Sequence, residues 1–481
     1  MAGRLYQLDS ILNRCFPIVS EYSYIENMEW RHLFSSKRYG KELDPGSGIT
    51  PGRTEYQRDF DRIIFSSSFR RLQNKTQVVP LPESDYVRNR LTHSLETSCV
   101  GRSLGNIVGL RLMKERPDEF EDLDVRPEDF GSVVAAACLA HDLGNPPFGH
   151  AGEDVISEYF TKHRGRAYIK DLTDEEKADL QNFEGNAAGF RIMTYTFPSQ
   201  SEHRGGLRLT YTTLAAFTKY PKASLPMLED SKNAGEKKYG FFQAQREDFK
   251  TIAQGVGLQF AGDGSEYRWK RHPLAFLVEA ADDICYHIID IEDAAKMKII
   301  SFDEVESFLT GIFSLNTADK HTYDRIYDEG ERIGYLRSKV INQLVNEVAD
   351  VFMKEERNIL DGTFDRSLST RIGSGEKLKT IKKFSVDRIY KSRQNLEIEA
   401  AGYEVISGLL DVFISSLLDS KSRYGKKMIE LLPKQYLDRN QKPFDDMYLN
   451  MLNVAAFIAG MTDTYAINLY RTIKGLSLTS Y

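Results

Sequence analysis

Residues 131–153, GSVVAAACLAHDLGNPPFGHAGE, contain the features that organise the predicted fold. The first ten of these residues are apolar or small, which predicts a buried helix that ends at Ala140. His141 and Asp142 follow directly, at the end of that helix. The next residues, LGNPPFG, include two prolines, which cannot continue a helix, so we expect a rigid loop here. Two metal-ligating residue types are therefore predicted beside a fixed turn.

A second helix is expected after the proline loop. The loop ends at His150, the new helix starts near Ala151, and Glu153 falls in its first turn. His150 is therefore predicted to lie close to His141 and Asp142, where an imidazole is well placed to transfer a proton. A histidine in an ordinary surface loop is the simpler alternative.

Helix-forming patterns dominate the rest of the chain, so the sequence predicts an all-α fold. They cover residues 53–77, 273–295, 335–352, 402–418 and 448–470. Residues 43–51, 198–206 and 221–240 are expected to be loops because they are rich in glycine, proline or polar residues. Residues 258–269 fit a short strand or a loop equally well. We predict an N-terminal segment at 1–52, a core at 53–300 and a helical C-terminal region at 301–481.

The composition limits the class of protein. The chain has 481 residues and a formal net charge of −6, from 64 basic and 70 acidic side chains. This balance excludes a strongly basic nucleic-acid coat protein and a strongly acidic tail protein. No stretch approaches the roughly 20 apolar residues that cross a bilayer, and Cys15, Cys99, Cys138 and Cys285 are too scattered for a CxxC pair. We therefore expect a cytoplasmic protein with reduced thiols and no membrane partner.

The His141-Asp142 pair suggests a metal site. An imidazole and a carboxylate suit a divalent transition metal such as manganese, iron or zinc. The dipeptide alone is weak support, and a capped helix end is the simpler alternative. Two further segments contain polar residues in apolar surroundings, RNRLTHSLET at 88–97, which includes His93, and LVEAADDICYHIIDIEDAA at 277–295.

In the second of these segments, Asp282, Tyr286 and Asp290 are spaced four residues apart, so they line one face of a helix. Their neighbours are apolar or small, and an unpaired buried carboxylate is costly. A cation, a sugar hydroxyl or an arginine would satisfy these groups. A charged face turned to solvent is the alternative.

Taken together, these residues resemble the HD phosphohydrolase superfamily, and more narrowly the deoxyguanosine triphosphate triphosphohydrolases (dGTPases). Five segments carry the resemblance in order along the chain. They are RTEYQRDFDRIIFSSSFRRLQNKTQV (53–78), NRLTHSLE (89–96), AHDLGNPPFGHAGE (140–153), FEGNAAGFRI (183–192) and EAADDICYHIIDIEDA (279–294). GMTDTYA, at 460–466, is a weaker match. The resemblance implies an all-α fold with an HD-domain helical core.

The resemblance also implies a reaction and a metal. Such enzymes cleave a deoxynucleoside triphosphate (dNTP) at the α-phosphorus into a deoxynucleoside and inorganic triphosphate. The expected metal is manganese or magnesium, with iron as a further candidate. The family's metal ligands match His93, His141, Asp142 and Asp282. Asp282 is preferred to its neighbour Asp283 because only Asp282 has the family spacing to Tyr286 and Asp290.

Further roles follow from the resemblance alone. The catalytic pair of histidine and acid matches His150 and Glu153. The implied substrate-binding residues are Tyr286 beneath the deoxyribose, Asp290 and Gln77 at its 3′-hydroxyl, and Arg90, Lys219 and Lys238 at the phosphates. A tyrosine ring beneath the sugar leaves no room for a 2′-hydroxyl, which favours deoxyribose over ribose.

Asn145 separates this chain from the animal relatives that hydrolyse all four dNTPs, because those carry histidine at this position. The NPPFGH form resembles the bacterial dGTPases, so we expect dGTP as the substrate and control of dNTP pools as the role. Relatives assemble as homo-oligomers, which implies a hexamer or a tetramer, and some bind single-stranded DNA.

Two alternatives remain at this point. One is a nucleotidase or cyclic-nucleotide phosphodiesterase of the same superfamily, against which the sugar-face pattern argues. The other is a nucleotide sensor or single-stranded nucleic-acid-binding protein with weak or different phosphohydrolase activity. Basic clusters such as Lys237-Lys238 and Lys426-Lys427 permit this, although solvated surface charge is the better explanation of each cluster.

Overall fold

The computed structural model describes residues 27–41, 52–77, 88–196, 198, 206–228, 231, 233–262, 266–390 and 393–476, with the side chains of residues 394 and 395 excepted. Within these residues the chain forms helices and no strand, as predicted. The α-helices are α1 (Trp30–Leu33), α2 (Glu55–Ile64), α3 (Ser67–Arg71), α4 (Arg90–Glu115), α5 (Pro127–Ala140), α6 (His150–Thr161), α7 (Gly165–Tyr168), α8 (Asp174–Gln181), α9 (Gly185–Thr194), α10 (Tyr211–Phe217), α11 (Arg246–Gly255), α12 (Pro273–Lys296), α13 (Phe302–Ile312), α14 (Thr317–Tyr323), α15 (Glu329–Leu360), α16 (Gly375–Ser385), α17 (Arg393–Leu418), α18 (Arg423–Glu430), α19 (Met447–Ala459) and α20 (Asp463–Ile473).

Helix α5 is the centre of the larger of two hydrophobic cores. Every residue from 133 to 140 is buried, as its apolar sequence predicts. Helices α2, α4, α10 and α12 surround it. The contact with α4 is close because glycines line it, and a Cβ atom added to Gly105 would lie only 2.6 Å from the Cα atom of Gly131. This central helix leads directly into His141 and Asp142.

The second core joins two distant parts of the chain. Side chains from residues 148–188, mainly on α6, α8 and α9, pack against side chains from residues 405–466 on α17 to α20. The loop after α5 reaches both cores, because Leu143 is buried in the first and Phe148 in the second. The predicted boundary at residue 300 stays a prediction.

Two predicted helices are interrupted. Within residues 53–77, α2 ends at Ile64 and α3 begins at Ser67, because the Ser66 hydroxyl caps α3 by accepting a hydrogen bond from the Phe69 amide at 3.1 Å. Within residues 448–470, α19 ends at Ala459, and Thr462 caps α20 in the same way. Local capping therefore overrides the longer helical pattern in both places.

The expected loops are only partly described. Residues 43–51 lie outside the described residues, as does most of 198–206. The described residues of 221–240 include a β-bridge at Lys222 and a short 3-10 turn, Ala234–Glu236. In the described part of 258–269, Phe260 forms a β-bridge with Trp269, and Arg268 forms one with Lys222. Cys99, Cys138 and Cys285 are free thiols, as expected, and Cys15 lies outside the described residues.

One helix departs from the expectation that no stretch is long enough to span a membrane. Residues 396–418 of α17 meet the length and composition that a membrane-spanning helix requires. Half of the apolar window is buried within the protein, and Leu409, Leu410 and Phe413 belong to the second core. A buried core helix accounts for this apolar composition, since core helices of soluble proteins meet the same test.

Candidate metal and nucleotide site

Three helices bring the predicted metal ligands together. His93 lies in the first turn of α4, where Asn89 caps the helix by accepting a hydrogen bond from the Thr92 amide. His141 and Asp142 follow α5 directly, and Asp282 lies on α12. The Nε2 atom of His93 is 3.2 Å from Oδ1 of Asp282, and the Nε2 atom of His141 is 3.5 Å from the same oxygen. The side chains of His93, His141 and Asp282 therefore face one point.

The hydrogen bonds of His141 identify which ring nitrogen faces this point. Its Nδ1 atom lies 2.6 Å from the Cys138 carbonyl oxygen, which can only accept, so Nδ1 carries the proton. The Nε2 atom then faces carboxylate oxygens of Asp142 and Asp282, each at 3.5 Å. Two carboxylate oxygens this close to one ring nitrogen require a positive charge between them, supplied by a proton on the ring or by a metal ion. The donor set fits a divalent metal, which imidazole and carboxylate bind well.

Asp142 is held by charged and polar neighbours. The Nη1 atom of Arg90 lies 2.8 Å from Oδ2 of Asp142, and the Asn145 amide donates to Oδ1. Burial raises the pKa of Asp142, but the charges of Arg90, His141 and His93 more than offset this and hold it below its ordinary value. The Asp142 carboxylate is therefore ionised, as a metal ligand must be.

The predicted sugar-binding face continues along α12. The Tyr286 ring stacks on the ring of Tyr390, with centroids 5.7 Å apart and planes at 28°. The Tyr390 hydroxyl donates to Oδ2 of Asp290 at 2.6 Å. The other oxygen, Oδ1, is buried and has no hydrogen-bond partner among the described residues. Burial raises the pKa of Asp290 well above its ordinary value.

Tyr390 was not identified from the sequence. It ends a π-helical turn, Val386–Tyr390, that lies 100 residues beyond Asp290. No local pattern marks this residue, because its contact with α12 arises only from the packing of distant helices. Gln77, another predicted sugar-binding residue, resembles Asp290 in one respect. Its buried Oε1 atom has no hydrogen-bond partner in the described part of the chain.

His150 and Glu153 share the first turn of α6 but do not hydrogen-bond to each other in the described structure. Instead, Oε1 of Glu153 accepts a hydrogen bond from the Gly185 amide at 2.8 Å, and Oε2 lies 3.7 Å from Nζ of Lys238. Burial, together with the charge of nearby Glu184, raises the pKa of Glu153 to about 7. Glu153 is therefore a poor source of fixed negative charge for His150.

His150 is exposed to solvent, and the charged form of its ring is disfavoured. Partial burial lowers its pKa, and the positive charges of Lys238 and Arg90 lower it further. A neutral imidazole is consequently the dominant form near pH 7. Such a ring is able to accept a proton.

The two predicted phosphate-binding lysines lie in different places. Lys238 is 2.9 Å from Oε2 of Glu184, next to Glu153. Lys219 is 3.3 Å from Oε1 of Glu279, whose other oxygen pairs with Arg271 at 2.8 Å. Lys219 also lines a cavity of about 800 Å³ beside α12. Further cations that line this cavity are Lys237, Arg366, Lys379 and Lys382.

Two regions of the chain match known protein families. Residues 90–184 match the HD domain family, and residues 367–472 match a phosphohydrolase-associated domain. The first match contains His93, His141 and Asp142, and the second contains Tyr390. The chain is thus an enzyme of the HD phosphohydrolase class, a hydrolase.

Proteins similar in sequence identify the family of this chain more closely. A deoxyguanosinetriphosphate triphosphohydrolase-like protein from Synechocystis is 42% identical, over 94% of this chain and all of the relative. A similarly named protein from Pseudomonas aeruginosa is 37% identical over the same shares. A deoxyguanosinetriphosphate triphosphohydrolase from Yersinia enterocolitica is 28% identical, over 87% of this chain and 93% of the relative. The chain belongs to the deoxyguanosinetriphosphate triphosphohydrolase-like family.

Proposed function

We propose that this chain hydrolyses a deoxynucleoside triphosphate, dGTP above all, to the deoxynucleoside and inorganic triphosphate. One observation carries the proposal. The Nε2 atom of His141 lies 3.5 Å from carboxylate oxygens of Asp142 and Asp282. Helix α12, which carries Asp282, also carries the Tyr286 ring and the buried Asp290 oxygen that has no hydrogen-bond partner among the described residues. A cation site and a sugar-sized polar face are therefore adjacent, which suits a nucleotide bound by its phosphates and its ribose.

In this proposal, His93, His141, Asp142 and Asp282 hold a divalent metal. When bound there, manganese or magnesium would polarise a phosphoryl oxygen and lower the pKa of a water molecule. His93 and Asp142 are buried, and the proton on Nδ1 of His141 leaves Nε2 as the ring atom that would bind the metal, which supports this assignment.

The sugar would be recognised by Tyr286, Asp290 and Gln77. The Tyr286 ring offers an apolar surface backed by Tyr390. The buried Oδ1 atom of Asp290 and Oε1 atom of Gln77 have no hydrogen-bond partner among the described residues, and a 3′-hydroxyl, which both donates and accepts, would pair with both. A ring packed beneath the sugar also excludes a 2′-hydroxyl, which favours a deoxyribonucleotide.

The triphosphate carries about four negative charges, so several cations must contact it. Arg90, Lys219 and Lys238 are proposed for this role. Each is paired with a buried or half-buried carboxylate that holds its side chain in place. A phosphate oxygen would share or replace these contacts.

We assign proton transfer at the reacting phosphate to His150. The lowered pKa of His150 keeps the ring neutral and able to accept a proton near pH 7. Glu153 would act on His150 through Lys238, which lies 3.7 Å from Oε2 of Glu153 and whose charge lowers the pKa of His150.

The test is a product analysis. The full chain is incubated with each of the four dNTPs and Mn²⁺, and the products are separated by chromatography. We expect inorganic triphosphate and deoxyguanosine from dGTP, with slower release from the other dNTPs. Pyrophosphate or orthophosphate as the first product would overturn the proposal, and equal rates on all four dNTPs would overturn its specificity.

The wider role rests on the family resemblance. In this role the chain would control dNTP pools in the cytoplasm. It would act as a hexamer or tetramer built on an HD-type core at 53–300. Single-stranded DNA is a further candidate ligand. Sedimentation of the purified chain, with and without dGTP, tests the assembly. A monomer under both conditions would contradict it.

A further inference from the structure

Asp463, in the GMTDTYA segment, lies at a junction that the proposed reaction does not explain. It is the first residue of α20 and its side chain is buried, with 1% of the residue exposed. Thr462, not Asp463, caps this helix, by accepting a hydrogen bond from the Tyr465 amide. The Asp463 carboxylate is thus available to groups outside its own helix.

Each oxygen of this carboxylate binds a different segment. Oδ1 accepts a hydrogen bond from the backbone amide of Phe148 at 3.1 Å. Oδ2 accepts one from the backbone amide of Thr76, also at 3.1 Å, and another from the Thr76 hydroxyl. Phe148 lies two residues before His150, and Thr76 directly precedes Gln77. The buried Asp463 side chain therefore connects the segment that carries His150 to the segment that carries Gln77.

The contacted loop has a conformation that needs support. Phe148 has φ of 62°, in the left-handed region that residues other than glycine rarely adopt. Its ring packs against Gly402 of α17, where an added Cβ atom would lie 2.8 Å from the ring. The hydrogen bond from the Phe148 amide to Asp463 and the packing of the Phe148 ring against Gly402 hold this strained residue from two sides.

A second buried link runs in parallel. Lys75 is 2% exposed, and its Nζ atom donates to the carbonyl oxygens of Asn145 and of Ala459, the latter at 2.7 Å. The proline loop is thereby attached at Asn145 as well as at Phe148. Both attachments lead to the turn between α19 and α20, in the phosphohydrolase-associated region.

We propose that Asp463 is a positioning residue, which sets the backbone before His150 and the backbone before Gln77 relative to each other. This inference rests on the proposed function for the roles of His150 and Gln77. It gives the C-terminal region a direct effect on the site, although that region supplies none of the predicted metal ligands.

The test uses Asp463→Asn. An amide has only one acceptor oxygen, so it cannot accept from both the Phe148 and the Thr76 amides, and one of the two must lose its partner. We expect kcat for dGTP to fall at least tenfold. Mn²⁺ affinity is expected to stay within about twofold, because Asp463 contacts none of the proposed metal ligands. Hydrogen exchange of the peptide that contains Phe148 should become faster.

Matched variants separate positioning from general stability. Asp446→Asn makes the same change at the start of α19, where Asp446 is exposed and only caps its own helix, and should leave kcat and Phe148 exchange unchanged. Thr76→Val removes one hydroxyl contact and should raise KM more than it lowers kcat, whereas Thr76→Ser should restore wild-type values. The Thr76 pair keeps the test available if Asp463→Asn does not fold.

The outcomes are distinguishable. Unchanged kcat and unchanged Phe148 exchange in Asp463→Asn would overturn the inference, as would equal losses in Asp446→Asn. A parallel loss of Mn²⁺ affinity would also overturn it, because that indicates a general structural defect. If the wild-type chain releases triphosphate from no dNTP, the proposed function fails. In that case faster Phe148 exchange in Asp463→Asn alone supports the positioning, and unchanged exchange rejects it.

Discussion

His141 presents Nε2 to the neighbouring carboxylates because its Nδ1–H group donates a hydrogen bond to the Cys138 carbonyl oxygen. Elsewhere in the site, too, hydrogen bonds to neighbouring groups orient the side chains. Tyr390 donates to one oxygen of Asp290, whose other oxygen has no partner among the described residues, and the Gly185 amide donates to one oxygen of Glu153. Backbone and hydroxyl partners thus orient the polar groups of the site.

We expect His141→Ala to reduce Mn²⁺ affinity at least 100-fold, since loss of groups that merely support a metal ligand costs about 10- to 100-fold. The measurement is isothermal titration calorimetry with the full chain. His163→Ala is the control, because that exposed ring contacts only Tyr403 among the described residues. Retention of wild-type Mn²⁺ affinity in His141→Ala would contradict the metal assignment.

Asp179 provides a pH-dependent prediction away from the metal site. The residue is fully buried, and burial raises its pKa from 3.8 to about 7, despite hydrogen bonds from Tyr448 and the Gln243 amide. The folded state therefore retains a proton that the unfolded state releases near pH 4. As a result, this group lowers the free energy of unfolding as the pH rises from about 4 to about 7.

Asp179→Asn should remove this dependence. Relative to the wild type, the variant is expected to gain at least about 1.4 kcal/mol of unfolding free energy between pH 5 and pH 7.5, the equivalent of one pKa unit. Urea denaturation at the two pH values provides the measurement. Asp174→Asn, at an exposed carboxylate, serves as the control. An equal response of both variants to pH would reject the prediction.

The packing of helices α4 and α5 determines the distance between two of the proposed metal ligands, His93 and His141. His93 is on α4, and His141 directly follows α5. The helices approach closely because glycine faces glycine at their crossing. A Cβ atom on Gly105 would lie 2.6 Å from both the Gly131 Cα atom and the Phe130 carbonyl oxygen, and backbone atoms cannot move aside cheaply. The spacing of the ligands therefore depends on small residues far from the ligands themselves.

Gly105→Ala is expected to destabilise the protein by about 1–3 kcal/mol, the usual cost of overpacking. The matched change Gly334→Ala, in α15, adds its Cβ atom in open space and should stabilise the protein by about 0.5–1 kcal/mol. Chemical denaturation of both variants measures the difference. Equal free energies of unfolding for the two would show that the helix crossing is not tightly packed.

The two hydrophobic cores do not correspond to two consecutive parts of the chain, because the second core combines residues that are far apart in sequence. The larger core includes residues from the beginning of the described chain to Ile389. The second core combines α6 with α17 and α19, so the helix that carries His150 is covered by residues more than 240 positions later. The loop between α5 and α6 connects the cores, and the proposed site therefore requires both.

A chain that ends at residue 366 should not fold to the native state. Its α6 would expose Val155, Ile156 and Phe160, which are buried against the C-terminal helices in the full chain. We expect strong binding of a hydrophobic dye and loss of the cooperative thermal transition seen with the full chain. A truncated chain with the wild-type melting temperature would show that the larger core is independent.

Local patterns account for much of this structure. The sequence alone predicted the helical class, the end of α5 at Ala140 and the break at the two prolines. It placed the start of the next helix near Ala151, and the structure has it at His150. It also predicted the shared face of Asp282, Tyr286 and Asp290. These features depend on residues within a few turns of each other, so helix periodicity and proline geometry are sufficient to predict them.

Only the tertiary structure decided the remaining contacts. It revealed Tyr390 beside Tyr286, separated Glu153 from direct contact with His150, and connected Asp463 to Thr76 and Phe148. These interactions join residues from about 30 to nearly 400 positions apart, and no periodicity in the sequence specifies which distant side chains meet. Their partners are selected by how the two cores pack and by the requirement that buried polar groups find hydrogen bonds.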